Sequence, residues 1–289
     1  MHPAPSIILF TVLSGLGFGT LFWLGLGLPD VTGAPAFGWY FLGYALAVGG
    51  LLLSVAHLAK PANSVKAFSQ WRSSWLSREA VLAVIALTLV ALAALGRIFA
   101  GGAPIWLSVP GALLCLCTVF ATSMIYTQLR TIPAWSTPLT PLLFLAYCLA
   151  GGAVLTGLGG WSAGLLVLAG IGQMLAWHQA DGAMQAAGTS TGTATGLGTQ
   201  GQVRPFEPPH QGANYLLKEM AFRVGRGHRD RLRWIGLGLG LALPALLLLV
   251  GSGTAVWIAA AASHLVGVLA IRWLFFADAR HVMSLYYAR

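Results

Sequence analysis

Residues 57–79 read HLAKPANSVKAFSQWRSSWLSRE, a polar and basic stretch between two long apolar runs. The first run, 36–57, ends on His57, and the second, 78–100, begins with Arg78 and Glu79. Two helices made from these runs bring an imidazole and a carboxylate to the same membrane face, at the depth where lipid meets water. A site that moves protons needs titratable groups at that depth.

The bulk composition agrees with a membrane reading. Hydrophobic residues make up 57% of the chain and charged residues only 8%. A soluble chain of this length has too few charges there to cover so much apolar surface. Apolar runs of about 20 residues recur, the length that a bilayer core requires of a helix. Long glycine-containing runs without alternation argue against a β-barrel. The expected fold is all-α: a polytopic helical bundle forming one transmembrane domain over 1–289. Eight spans are expected, at 6–28, 36–57, 78–100, 104–127, 139–158, 161–179, 232–251 and 254–277. The N-terminus, MHPAPSIILF, has no Lys or Arg before its apolar run and no A-x-A pattern after it, so it reads as a retained first helix. Gly15 and Gly19, and again Gly236 and Gly240, have the G-x-x-x-G spacing of close helix packing, and Pro244 predicts a kink in the seventh span.

Loop charges set an orientation. The side that carries the N-terminus also carries loops 58–77, 128–138 and 180–231 and the C-terminus. Nearly all of the Lys and Arg lie there, Arg272 counted among them as a helix-end residue. The opposite side offers only Arg97. The positive-inside rule makes the basic side cytoplasmic, with both termini inside. The net charge of +9 then calls for no nucleic-acid partner, since basic juxtamembrane loops face lipid headgroups or a cytoplasmic protein.

Within loop 180–231, residues 187–202 (AGTSTGTATGLGTQGQ) are low-complexity. They read either as a linker or as a strap that orders against a soluble subunit. The following NYLLKEMAFRVGRGHRDR predicts a short amphipathic helix, whose Arg223, Arg226 and Arg229 suit either lipid or a docking partner. The cysteines, Cys115, Cys117 and Cys148, all lie in apolar runs and form no C-x-x-C. No metal site or iron–sulfur cluster is expected in this chain.

Taken singly, His57 and Glu79 suit helix ends, where each complements the dipole. Together, beside Arg72, Trp71 and Trp75, they read as a site. His264 lies midway along the eighth span, and His178 lies nearer the cytoplasmic end. Bis-His haem needs matched depths, so no haem is expected, and His264 reads as a hydrogen-bonded helix contact.

Two stretches carry a family resemblance. SVAHLAKPANSVKAFSQWRSSWLSRE, residues 54–79, resembles the loop between the second and third helices of the dimethyl sulfoxide reductase membrane anchor, with its H-L-x-x-P and its Ser-x-Glu helix start. YTQLRTIPAWSTPLTP, residues 126–141, resembles that family's Tyr, Thr-[IV]-Pro-x-Trp and Thr-Pro spacing. These motifs cover roughly the first half of the chain, and the back half agrees in topology. The resemblance implies an anchor that holds a molybdopterin catalytic subunit and an iron–sulfur electron-transfer subunit, and that binds a quinone, ubiquinone or menaquinone, without haem. It associates the positions of His57 and Glu79 with the quinone site. Tyr126 and Arg130 belong to the second motif. Arg78 or Arg130 is expected to hold the charge of Glu79, with Trp71, Trp75 or Trp135 as walls of the slot. Basic motif loops place the soluble subunits on the cytoplasmic face of a bacterial inner membrane. That placement is similar to the cytoplasm-facing sulfite dehydrogenases and favours sulfite oxidation over dimethyl sulfoxide reduction. A transporter is the alternative of another class, although no inverted repeat is evident.

Overall fold

A computed structural model describes residues 2–56, 65–66, 68–207, 210, 212 and 227–287. The described residues contain helices and no strand. The long helices are α1 (Pro5–Gly25), α2 (Gly33–Ala56), α3 (Trp75–Phe99), α4 (Ile105–Thr127), α5 (Leu139–Leu155), α6 (Gly159–Ala186), α7 (Arg229–Val250) and α8 (Thr254–Ala277). Backbone polar groups find no water in lipid, and a helix satisfies them within its own segment.

Among the described residues, seven of these helices are long and apolar enough to cross a membrane, against the eight expected. The difference is α5, apolar but only 17 residues long. At 1.5 Å per residue it covers about 25 Å, short of a core of ~30 Å. The expected span 139–158 includes Thr156–Leu158, which turns instead; Gly157 there has φ +71°. Conversely, α6 runs 28 residues to Ala186, two turns past its expected end, and α3 begins at Trp75, three residues early.

One helix organises the packing. In α1, 72% of the most apolar window is buried, against 22% in α2. It packs on α2, α4, α5 and α8. Phe18, Leu21 and Leu24 enter one core with residues of α2–α4 and the ends of α5 and α8, while Val12 and Leu16 enter a second with α5–α8. Lipid is as apolar as a leucine side chain, so these helices associate through close contact rather than hydrophobic transfer. Glycines supply that contact. A Cβ on Gly19 would lie 1.9 Å from the Cys148 carbonyl oxygen, and one on Gly267 would lie 2.0 Å from Gly240 N. The G-x-x-x-G reading holds for Gly236 and Gly240, which face Ile271 and Gly267. It holds only in part for α1, because Gly15 has nothing within 4 Å.

The expected irregularity at Pro244 is a π turn, Gly238–Ala242, just before it. Proline donates no N–H to the preceding turn. Two side chains of α8 serve carbonyls there: Ser263 Oγ donates to Leu239 O at 2.6 Å, and His264 Nδ1 bonds Gly240 O at 2.6 Å. This is the helix contact expected of His264. His178 lies exposed on α6.

The antiparallel order brings the ends of successive helices together. Gly17 meets Ala47 while Gly50 meets Ser14, and Gly236 meets Ile271 while Gly240 meets Gly267. Loop 128–138 is tied to the C-terminal segment where Val282 N donates to Thr131 O at 2.9 Å. Residues 190–200 form a capped turn, Thr191–Thr195, followed by a short 3₁₀ turn. The Tyr286 hydroxyl donates to Ala194 O at 3.3 Å, so this low-complexity segment folds back on the chain's own end. Most of the expected amphipathic helix at 214–231, with Arg223 and Arg226, lies outside the described residues.

Candidate functional site

Glu79 lies one turn into α3 and is only 3% exposed. Its Oε1 is 2.5 Å from Thr122 Oγ1 on α4, and that hydroxyl also lies 3.1 Å from Thr118 O. One hydroxyl carries one proton and two lone pairs, so the pair has two satisfied states. With Glu79 ionised, Thr122 donates to it. With Glu79 protonated, the carboxyl donates to Thr122, whose own hydrogen turns to Thr118 O. A carboxyl served in this way can take up or release a proton without stranding a buried group.

No arginine pairs with Glu79 among the described residues. Arg78, one of the two expected to hold its charge, points away: Nε donates to Trp71 O at 3.1 Å and an NH2 group to Arg72 O at 2.7 Å, and the guanidinium lies 4.3 Å from the Trp75 ring centroid. Arg130 is exposed. Arg72 is exposed beside Trp71, which is itself 53% exposed. Trp75 meets Phe120 edge-on at 6.0 Å. His57 lies outside the described residues; it directly follows Ala56, the last residue of α2.

The second motif lies deeper. Tyr126 is buried within electrostatic reach of both Glu79 and Arg272. Its ring packs on Trp135, Phe144, Phe275 and Phe276 at 5.5–5.7 Å. Trp135 stacks on Phe275 at 5.2 Å and donates Nε1–H to that residue's carbonyl at 2.9 Å. Arg272, expected among the loop charges, is instead 6% exposed, with its guanidinium 3.8 Å from the Phe144 ring centroid. The helix carries it back from the water because aromatic faces of α5 and α8 receive its charge.

Beyond Arg272 a cavity of about 100 Å³ opens between α5, α6, α8 and the start of α7. Tyr147, Gln173, Trp177 and Arg272 line it, and the Tyr147 hydroxyl donates to Gln173 Oε1 at 3.0 Å. At its rim Arg229 lies 2.6 Å from Asp181 and 3.4 Å from Asp278, while Arg233 reaches the same carboxylates at 2.8 and 3.4 Å. Arg229, expected as a docking cation, is thus engaged inside the chain, which accounts for the extra turns of α6 carrying Asp181. The side chains of Glu79, Thr122, Tyr126, Arg272, Tyr147 and Gln173 are all buried. Sequence reading finds Glu79, Tyr126 and Trp135 but misses Thr122, Gln173 and the burial of Arg272. Among the described residues, no group of three or more His, Cys, Asp or Glu is placed to hold a metal ion.

Such a bundle, with charged loop ends and, among the described residues, a single buried carboxyl, defines a multi-pass membrane protein. The profile of the DMSO reductase anchor subunit (DmsC) family matches residues 1–165, over half of the 289 residues. A sulfite dehydrogenase subunit of Allochromatium vinosum is 31% identical over 331 aligned positions, covering 99% of each chain. No solved structure gave a significant match. The chain belongs to the DMSO reductase anchor subunit family: it is a membrane anchor of an oxidoreductase complex with catalytic and iron–sulfur partners.

Proposed function

We propose that this anchor binds a quinone and passes electrons between its iron–sulfur partner and the quinone pool, with sulfite oxidation as their source. The observation that carries the quinone reading is the Glu79–Thr122 pair: a buried carboxyl without a counter-charge among the described residues, satisfied both with and without its proton. Quinone–quinol conversion moves two protons with two electrons, and the protons need such a group. His57 is the proposed partner of a quinone carbonyl and a second proton carrier, since an imidazole exchanges protons near neutral pH. In sequence it directly follows Ala56, the last residue of α2. Tyr126, Trp135 and Trp75 are the proposed apolar walls, and the arginines 72, 78 and 130 the proposed basic surround. The sulfite reading is supported by the full-length likeness to a sulfite dehydrogenase subunit. Dimethyl sulfoxide reduction is the second reading, favoured by the family profile.

Purification of the intact complex tests the assignment. A molybdopterin subunit and an iron–sulfur subunit are expected to copurify, and sulfite is expected to reduce quinone in the preparation. Quinol oxidation by dimethyl sulfoxide, with no sulfite activity, would establish the second reading, and a complex that exchanges no electrons with quinone would overturn both.

We also propose eight crossings with both termini in the cytoplasm of a bacterial inner membrane, α5 crossing together with its flanking turns. Arg97, the basic residue on the opposite side, is paired with Asp30, which leaves the charge asymmetry to the loop-bearing end. A phosphatase fused to the C-terminus is expected to be inactive and a fluorescent protein there bright. Periplasmic phosphatase activity would reverse the orientation.

A further inference from the structure

We propose that the cavity between α5, α6 and α8 binds a tetrahedral oxyanion, a phosphate- or sulfate-type headgroup held by Arg272 and Gln173. The cavity adjoins the proposed quinone slot at Trp135, which lines both, but its donors are other residues and the proposal does not rest on the quinone reading.

Arg272 is 6% exposed, its buried Nε has no hydrogen-bond partner, and no carboxylate pairs with it among the described residues. Its contacts are the faces of Phe144 and Phe275. A buried cation without a partner is costly, and ring faces offset only part of that cost. Two carboxylates, Asp181 and Asp278, also line the cavity, but Arg229 and Arg233 hold them. Among the described residues, Arg272 and, at the rim, Arg280 are therefore surplus positive charge around this space.

The neutral groups of the cavity point the same way. Gln173, 6% exposed, accepts the Tyr147 proton on Oε1 and leaves its –NH2 to donate. Thr140 has its hydroxyl on Trp135 O at 2.8 Å. The free valences are N–H donors, which suits an anion with several acceptor oxygens. A neutral carbonyl would satisfy one donor and leave the charge. The volume of about 100 Å³ fits a headgroup rather than an acyl chain, and the mouth lies at the charged end of the bundle, where headgroups sit. Basic pockets between helix ends hold acidic lipid phosphates elsewhere. The same donors would hold a free phosphate or sulfate ion.

The test uses the complex in detergent after delipidation. Melting is followed with inorganic phosphate or with phosphatidylglycerol, and native mass spectrometry reports bound lipid. The wild type is expected to gain about 3 °C or more at saturation with one of the two probes. A response to phosphatidylglycerol with one lipid retained assigns the site to a lipid headgroup, and a response to inorganic phosphate assigns it to a free ion. Arg272→Met and Gln173→Glu are expected to abolish the response. Gln173→Glu places a carboxylate in the same cavity as the Arg272 guanidinium, so it is expected to assemble and to melt no lower than the ligand-free wild type. The proposal is overturned if the wild type responds to neither probe, if Gln173→Glu responds like the wild type, or if a short-chain quinone stabilises through these residues instead.

Discussion

Glu79→Gln and His57→Ala are expected to leave the complex assembled while cutting quinone-linked turnover by about 100-fold, the contribution of a positioned proton-transfer group. Dye-linked turnover of the catalytic subunit is expected to stay unchanged, because a soluble dye takes electrons without passing through the anchor. Glutamine keeps the size of Glu79 and an acceptor for Thr122, so folding is spared while the exchangeable proton is lost. Thr122→Val separates the chemistry further: it removes the hydroxyl that serves both states of the carboxyl and is expected to slow quinone turnover several-fold, with Thr122→Ser restoring it. The measurement is the ratio of quinone-linked to dye-linked rates in the same membranes. Wild-type ratios in both Glu79→Gln and His57→Ala would move the quinone site elsewhere and return the two residues to their helix-end roles.

The second large effect is on assembly. Gly267→Ala and Gly19→Ala are expected to cost about 3 kcal/mol or more, at the upper end of overpacking, because each new methyl would meet backbone rather than a side chain that can swing aside. The Cβ positions lie 2.0 Å from Gly240 N and 1.9 Å from Cys148 O. Gly15→Ala is the control, with nothing within 4 Å of its Cβ. Membrane levels of folded protein, read by fluorescence size exclusion, should fall sharply for the first two and hold for the third. Equal levels in all three would mean that the helices separate easily at these crossings.

The helices are largely legible in the sequence because lipid imposes one long apolar period on each. What stays hidden there is side-chain direction. The spacing of Glu79 and Thr122 carries a usable signal: both lie about equally far from the turn at 100–104, so an antiparallel hairpin brings them to one level. Read as a loop-side glutamate, Glu79 suggests Arg78 and Arg130 as partners, whereas the register selects a threonine across the hairpin. Arg272 is misplaced for a related reason. Position at a helix end gives depth but not facing, and only the rings of Phe144 and Phe275 show that it turns inward. Gly15 and Gly19 share a spacing, yet a motif says nothing about which member meets a neighbour.

The central place of α1 bears on how the protein is made. α1 leaves the ribosome ahead of α2, α4, α5 and α8, which later wrap it, so it enters lipid before these neighbours exist. Its hydroxyls are suited to that wait. Thr11 donates to Ile7 O at 3.0 Å, Ser14 to Phe10 O at 2.6 Å and Thr20 to Leu16 O at 2.9 Å, all within the helix itself. The segment can therefore rest in the bilayer with these hydroxyls satisfied. Enclosure of α1 then waits for α8, which follows α2, α4 and α5 in chain order and brings residues into both cores that α1 joins. A nascent chain halted before Thr254 would leave α1 only partly enclosed, a state that membrane quality-control proteases are equipped to find.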